Sequence, residues 1–356
     1  MAGKPRLASG EAQLAYDNVK ALAPSVLAAN QTLSDEPLSI FELPSDLVKP
    51  ALEACRLFNT SIDALFYDVP ALVDALRKRG ETVAAPAAGA ASKGRGQLDL
   101  GALKNPEGSL LVIDAKNAPY VKAFDDVTEF LAERDGAAKH VEIATIAGVG
   151  SSALGSAALA WDVSSAFRKP VLAIVPGYGV ADVLLQALGG WYGFGMYDFF
   201  NTKSHLQTLL AAVAPRTAAI GRGLSASAPG NQRLPNGGPV FRTGCGSSDV
   251  LHAIMEEHPL KWLVGHSKGA LSIANALRTL PSNRTEGLQI VTLGCPIAED
   301  LPGAQYHQFL GSFDALGALN AWGNRPDDWV PADHSTNVAL PLSMDARDLV
   351  DLSARY

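Results

Sequence analysis

The sequence is poor in charge and in cysteine. Charged residues make up 18% of the 356 residues and the net charge is −7, so the composition does not suggest a nucleic-acid partner. The three cysteines, Cys55, Cys245 and Cys295, are an odd number without C-x-x-C spacing. This pattern argues against a disulfide framework or a zinc site and favours a reduced compartment. We therefore expect no metal and no nucleic-acid partner.

Long apolar runs are missing as well. Residues 1–13 are polar and charged, unlike a signal peptide, so the expected location is cytoplasmic. Residues 143–161 carry no charge but consist mostly of alanine, glycine and serine, and residues 171–200 are interrupted by Pro176 and several glycines. Neither stretch predicts a membrane span. With 47% apolar residues, the chain can still bury a large core.

The distribution of residue types divides the chain into three parts. Residues 1–80 have the periodicity of a helical extension. Residues 81–108 predict a flexible connector because large apolar residues are scarce there. Residues 109–356 alternate short strand-like and helical runs, which predicts an α/β domain with a mostly parallel sheet flanked by helices. Within that domain, residues 184–246 are expected to form a lid-like insertion.

The expected elements follow from the same patterns. The strands are predicted at Leu110–Asp114, Val141–Ala147, Val171–Val175, Trp262–His266, Leu288–Leu293 and Leu316–Trp322. The helices are predicted at Leu14–Leu27, Leu47–Phe58, Val69–Arg79, Tyr120–Arg134, Ser151–Phe167, His205–Val213, Ser248–His258 and Ala270–Leu280, with a further short helix beginning near Gln305.

The most informative motif is Gly265-His266-Ser267-Lys268-Gly269, which lies between a predicted strand and a predicted helix. A serine on such a sharp strand-to-helix turn is lifted out of the sheet, and small flanking residues are needed because neighbouring backbone comes close. The first amides of the following helix then face the group that reacts with the serine. The motif predicts Ser267 as a nucleophile and the Lys268 amide as an oxyanion donor.

A serine nucleophile needs a base, usually oriented by a carboxylate. Downstream of Ser267 the chain contains two histidines, His307 and His334. His307 falls in the predicted helix near Gln305, whereas His334 falls in a loop after the last predicted strand. We therefore expect His334 to be the base.

The run Asp328-Trp329-Val330-Pro331 resembles the D-x-V-P turn of the α/β-hydrolase family, particularly of the class 3 lipases. Together with the serine motif, the resemblance covers residues 170–335. It implies an α/β-hydrolase fold and places the acid of a catalytic triad at Asp328. Only five residues separate Asp328 from His334, fewer than the family places there, so Asp314 and Asp327 remain alternatives.

Two glycine-containing loops compete to provide the second oxyanion donor. Residues 176–179, with Gly177 and the Tyr178 amide, are favoured because they leave a spacing to Ser267 closer to that of the family. Residues 147–151 resemble the family's His-Gly-x-Gly loop, with Ala147 in place of the histidine. Residues 184–200 are rich in aromatics, including Trp191, and predict either an acyl-binding wall and lid or a core segment over the sheet.

The resemblance implies a serine carboxylic-ester hydrolase that forms an acyl-enzyme and needs no cofactor. An apolar wall near the serine would favour esters with a hydrophobic acyl or alcohol part. An acyltransferase or thioesterase on the same fold is one alternative. A non-catalytic hydrolase-fold module that binds a lipid or a protein is another. Peripheral membrane contact and the oligomeric state stay open.

Overall fold

The computed structural model of the chain describes residues 63–79, 109–124, 127–133, 136–148, 150–176, 246–277, 280–297, 301–321 and 324–355. Several expectations lie outside these residues: the helices at Leu14–Leu27, Leu47–Phe58 and His205–Val213, the connector 81–108, and residues 184–245 of the insertion. Three predicted site residues, Gly177, Tyr178 and Trp191, lie outside them too.

The described elements follow one another in an alternating order. They are α1 (Val69–Lys78), β1 (Leu110–Ile113), β2 (Val121–Phe124), α2 (Val127–Ala132), β3 (Ile143–Ile146), α3 (Ala153–Phe167), β4 (Val171–Ile174), α4 (Gly246–Glu257), β5 (Trp262–His266), α5 (Lys268–Leu277), β6 (Gln289–Leu293), β7 (Gln305–Gly311), α6 (Ala315–Asn320), β8 (Asp328–Val330) and α7 (Ala346–Ser353). Short 3-10 turns occupy Ala137–His140 and Ser282–Arg284.

The strands form one eight-stranded sheet in the order β2-β1-β4-β3-β5-β6-β7-β8. From β4 to β8 all neighbouring strands are parallel, while β1 is antiparallel to both β2 and β4. Strands β1, β3 and β4 are buried along their whole length, as expected for strands covered by helices on both faces. The predicted mostly parallel sheet flanked by helices is confirmed.

Alternate residues of the central strands face two different apolar layers. On one face, Ile143 and Val264 pack in a cluster that includes α1, α3 and α7. On the other face, Ala144 and Leu263 pack in a cluster that includes α2, α4 and α5. The result is a three-layer arrangement with the sheet in the middle.

The carboxyl ends of β3 and β5 form a topological switch point. The two strands are neighbours, but the helix after β3, α3, covers one face, whereas the helix after β5, α5, covers the other. Connections that diverge in this way leave a crevice at the ends of the two strands, where α/β proteins bind their ligands. Ser267 directly follows β5, so the serine motif lies at this switch point.

Helix α1 belongs to the same hydrophobic core as the sheet. Its Leu72 and Leu76, and Tyr67 just before it, are buried in the cluster with α3 and α7. The helix begins after Asp68, whose carboxylate accepts a hydrogen bond from the Ala71 amide at 3.0 Å. The described part of the predicted extension therefore packs on the α/β sheet.

Two predicted elements are wrong in type. Residues 316–322 were expected to be a strand, but 315–320 form helix α6, while the chain from Gln305, expected to be helical, forms β7. Residues 121–124 at the start of the predicted helix Tyr120–Arg134 form β2. Strand β8 and helix α7 were not predicted, and the remaining predicted elements that the structure describes match in type, with ends within about three residues. No described helix is both long and apolar enough to cross a membrane.

Candidate active site

Ser267 lies on a strained turn between β5 and α5. Its backbone φ is 53°, a left-handed conformation that is costly for a residue with a side chain. A side chain at Gly265 would put a Cβ atom 2.6 Å from the Ala270 amide nitrogen, and one at Gly269 would overlap the carbonyl oxygen of Ile146. The two glycines are therefore required by close backbone contact, as the motif predicts.

A buried carboxylate and imidazole form the second part of the site. His334 Nδ1 lies 2.9 Å from Asp314 Oδ1 and 2.8 Å from Oδ2. Asp314 is only 3% exposed, and its Oδ1 also accepts the Gly317 amide at 2.5 Å as it caps α6. Because a carboxylate can only accept, His334 Nδ1 must donate, and in the neutral ring Nε2 then has the free lone pair. This is the arrangement that a histidine base needs.

The serine and the Asp314–His334 pair meet at the carboxyl ends of neighbouring strands. The Ser267 amide donates to the Leu293 carbonyl, the last residue of β6, at 2.8 Å. The next residue, Gly294, adjoins the pair: a Cβ atom there would lie 3.0 Å from both Asp314 Oδ2 and His334 Nδ1. The His334 ring centroid is also 4.9 Å from that of His266, which directly precedes the serine.

Among the described residues, no hydrogen bond joins the Ser267 hydroxyl to the His334 ring. Such bonds are often long until a substrate is in place. The contact between nucleophile and base is therefore the link that experiments on this site must test.

The assignment of the acid to Asp328 is wrong as a partner of His334. Asp328 is an exposed residue at the start of β8, and Asp327, the second alternative, accepts the Gln308 amide at 2.9 Å. The cause is the misplaced strand: β7 ends at Gly311, so the loop that follows it delivers Asp314, not Asp328. The alternative at Asp314 agrees with the geometry.

The structure supports the choice of His334 over His307, but the reason that the sequence gave, a helix around His307, does not hold. His307 lies on strand β7, not in a helix, and its ring stacks on Trp262 with centroids 6.5 Å apart. Because Trp262 begins β5 and Ser267 follows the end of that strand, His307 lies toward the opposite end of the sheet. His334 is the histidine that the structure brings to Asp314.

The loop after β3 adjoins the serine. A Cβ atom at Gly148 would lie 3.3 Å from the Ser267 Cβ. This follows from the strand order, because β3 is the direct neighbour of β5 whereas β4 is one strand further away. The structure thus brings residues 147–148 of the less favoured loop to the serine, while Gly177 and Tyr178 of the favoured loop lie outside the described residues.

Lys268 is the first residue of α5, so its amide lies at the helix end that faces the serine. The residue is only 7% exposed. The positive charge of Lys268 lowers the pKa of the buried Cys295 thiol, but burial outweighs this effect and raises that pKa to about 12. Cys295 is free and buried, and the raised pKa keeps it a neutral, poorly nucleophilic thiol.

Two further buried groups adjoin the site and were not anticipated from the sequence. His266 contacts Tyr67 through Nδ1 and the His334 carbonyl through Nε2, and burial lowers its pKa to about 3. Asp63 binds Ser151 and Ser152 at the start of α3, and burial raises its pKa to about 7. Nothing in the sequence of residues 63–67 links them to the serine motif.

No group of three or more His, Cys, Asp or Glu side chains suited to a metal ion occurs in the part of the chain that the structure describes. No family model matches the chain, and neither the curated proteins nor the solved structures contain a match.

Proposed function

We propose that the protein is a serine carboxylic-ester hydrolase of the α/β-hydrolase type. The observation that carries the proposal is the convergence of Ser267, on its left-handed strand-to-helix turn, with the buried Asp314–His334 pair at one edge of the sheet. The chain order of serine, acid and histidine is that of α/β-hydrolases. The position at a topological switch point supports it independently.

In the proposed mechanism, the Ser267 oxygen attacks the ester carbonyl as His334 Nε2 removes its proton. Asp314 stabilises the imidazolium that forms, and the Lys268 amide at the start of α5 donates to the oxyanion. The tetrahedral intermediate collapses, the alkoxide leaves with the proton from His334, and Ser267 remains acylated. Water activated by His334 then adds to the acyl carbonyl and releases the acid and free Ser267.

An ester with a hydrophobic part fits the surroundings of the site. Among the described residues, six of the seven exposed large apolar side chains lie in or beside the segments that carry or contact Asp314 and His334, and the seventh, Leu352, lies on α7. The six are Leu65, Phe313, Leu319, Trp329, Val338 and Leu342. Phe313 is 63% exposed and directly precedes Asp314. Apolar surface beside a reactive serine gains free energy from burying a hydrocarbon chain, which a small polar ester cannot provide.

The test is hydrolysis of p-nitrophenyl esters from acetyl to palmitoyl by the wild type, Ser267→Ala and His334→Ala. His307→Ala is the matched control, because it removes the other downstream histidine away from Asp314. We expect kcat/KM to increase with acyl length, to collapse in the first two variants and to survive in the control.

Adding a primary alcohol to the same assay measures whether the acyl group also passes to an acceptor other than water. Dominant transfer would make the protein an acyltransferase. A wild type inert on every ester would refute the proposal and leave a non-catalytic binding module in its place.

A further inference from the structure

Residues 63–67 hold together the two loops of the proposed active site, although they lie about 200 positions before the serine. At one end, the Asp63 carboxylate accepts hydrogen bonds from Ser151 and from the Ser152 amide, at 3.0 and 3.1 Å, just after the Gly148 loop. In the middle, the carbonyls of residues 64–66 accept hydrogen bonds from Ser335, Thr336 and Asn337, the residues after His334. The segment thus binds both the β3 loop and the histidine loop.

Tyr67, at the other end of this segment, connects three backbone or ring groups around the serine. Its hydroxyl oxygen accepts the Gly148 amide at 2.6 Å. The same hydroxyl lies 2.8 Å from His266 Nδ1. His266 Nε2 lies 2.9 Å from the His334 carbonyl oxygen.

The hydrogen-bonding capacities of these groups determine the direction of each bond. A carbonyl can only accept, so His266 Nε2 must carry the proton that it donates to His334. Burial lowers the pKa of His266 to about 3, so the ring is neutral and Nδ1 must accept. The Tyr67 hydroxyl, whose pKa burial raises, therefore donates to Nδ1. The chain of bonds runs from Gly148 through Tyr67 and His266 to the His334 backbone without a charged member.

We propose that Tyr67 and His266 are positioning residues, which hold the Gly148 loop and the His334 backbone in register on either side of Ser267. This inference rests on the proposed ester hydrolase. Neither side chain needs to touch substrate: Tyr67 acts on the oxyanion side through the Gly148 amide, and His266 acts on the base side through the His334 carbonyl. His266 is then no second base, because its only lone pair is used by Tyr67.

The geometry of this network limits what each half can do. Tyr67 is 2% exposed and its ring packs edge-on against His266, with centroids 5.3 Å apart. Phe66 packs edge-on against His334, with centroids 5.6 Å apart. Removing the Tyr67 hydroxyl keeps both ring contacts and deletes only the bonds to Gly148 and His266. The change therefore probes position with little loss of packing.

The experiment compares Tyr67→Phe with Tyr120→Phe, a control that removes a hydroxyl from a half-buried tyrosine beside Trp161. We expect Tyr67→Phe to lower kcat roughly 10- to 100-fold with little change in KM, because displacements of about 1 Å cost about that much in rate. The Tyr120→Phe rates should equal the wild type. A purely structural role would instead lower the fraction of folded protein, measured by thermal melting, and leave kcat per folded molecule unchanged.

A second pair of variants tests the His266 half. His266→Gln can keep a donor near the position of Nε2, whereas His266→Ala cannot. We expect the glutamine variant to retain more of the wild-type kcat than the alanine variant at equal KM. Equal rates for the wild type, Tyr67→Phe and His266→Ala would overturn the inference while leaving the ester hydrolase intact.

A readout independent of activity separates the two proposals. Nitrogen NMR of the His266 ring should report a proton on Nε2 and none on Nδ1 throughout pH 5 to 8. The opposite tautomer, or titration of this ring within that range, would overturn the inference even in an active enzyme. An inert wild type with the expected His266 signals would instead refute the proposed function, and with it the catalytic purpose of the network.

Discussion

Replacing Asp314 by Asn should abolish most of the proposed esterase activity, while the same change at Asp328 should not. The Asp314 carboxylate lies 2.8 Å and 2.9 Å from His334 Nδ1 and is 3% exposed, whereas Asp328 is exposed on β8. Asparagine fills the same space and can still cap α6 by accepting the Gly317 amide. It loses the negative charge, and because its amide can donate as well as accept, it no longer requires the His334 proton to be on Nδ1.

The magnitude follows from what that carboxylate does for the base. An amide that donates to Nδ1 would place the proton on Nε2, the nitrogen that must accept the serine proton. Loss of the correct tautomer and of imidazolium stabilisation costs about 10⁴ in kcat for a serine triad. This corresponds to about 5 kcal/mol of transition-state stabilisation. Because the cap is retained, folding stability should change by less than this.

The assay is steady-state hydrolysis of the best p-nitrophenyl ester by the wild type, Asp314→Asn and Asp328→Asn, with thermal melting of each. We expect kcat to fall about 10⁴-fold only in Asp314→Asn and KM to change little. A kcat of Asp314→Asn within tenfold of the wild-type value would refute the proposed role of the buried pair. A selective loss in Asp328→Asn would return the acid to the residue that the D-x-V-P pattern predicts.

Two further predictions concern stability. Arg347→Ala should destabilise the fold by about 3 to 5 kcal/mol, because Arg347 bonds the buried Asp162 at 2.7 Å, and urea unfolding measures the loss. Arg355→Ala, which breaks an exposed pair between Asp351 of the same helix and a residue just past its end, should cost less than about 1 kcal/mol. Gly269→Ala should prevent folding, since its Cβ would overlap the Ile146 carbonyl. Gly287→Ala, in open space at φ 72°, should reduce stability by only about 1 to 2 kcal/mol. Expression level and thermal melting compare the two variants.

The stability lost in Arg347→Ala should depend on pH, and the pKa of Asp162 determines the direction. Burial raises the pKa of Asp162 to about 6 from 3.8, despite the nearby Arg347. As pH rises, Asp162 therefore loses its proton at a lower pH in the unfolded chain than in the folded protein. Its contribution to the free energy of unfolding falls as pH rises from about 4 to about 6. Without Arg347 the pKa should rise further, so the variant should lose more stability at pH 8 than at pH 5. An equal loss at both values would contradict this reasoning.

The serine turn could be predicted from sequence because all its determinants are local. Strand β5, the two glycines and helix α5 lie within one continuous stretch, and each glycine has a contact that excludes a side chain. His334 was found by elimination among two histidines. The layers of the sheet also followed from local patterns, since strands covered on both faces appear as short apolar runs.

The acid and the supporting network could not be predicted in the same way. A short apolar run such as residues 316–322 does not distinguish a strand from a buried helix, and the polar residues at the start of β7 concealed that strand. Because the last strand was expected at residues 316–322, the acid was expected after it, at Asp328. Tyr67 lies 199 positions from His266, and only the folded sheet brings them together.

The most direct test of the central claim is mass spectrometry of the protein after reaction with a fluorophosphonate. We expect one adduct per chain, located on the peptide that contains Ser267, absent from Ser267→Ala and strongly slowed in His334→Ala. An unlabelled wild type, or an adduct that persists in Ser267→Ala, would contradict the assignment of Ser267 as the nucleophile.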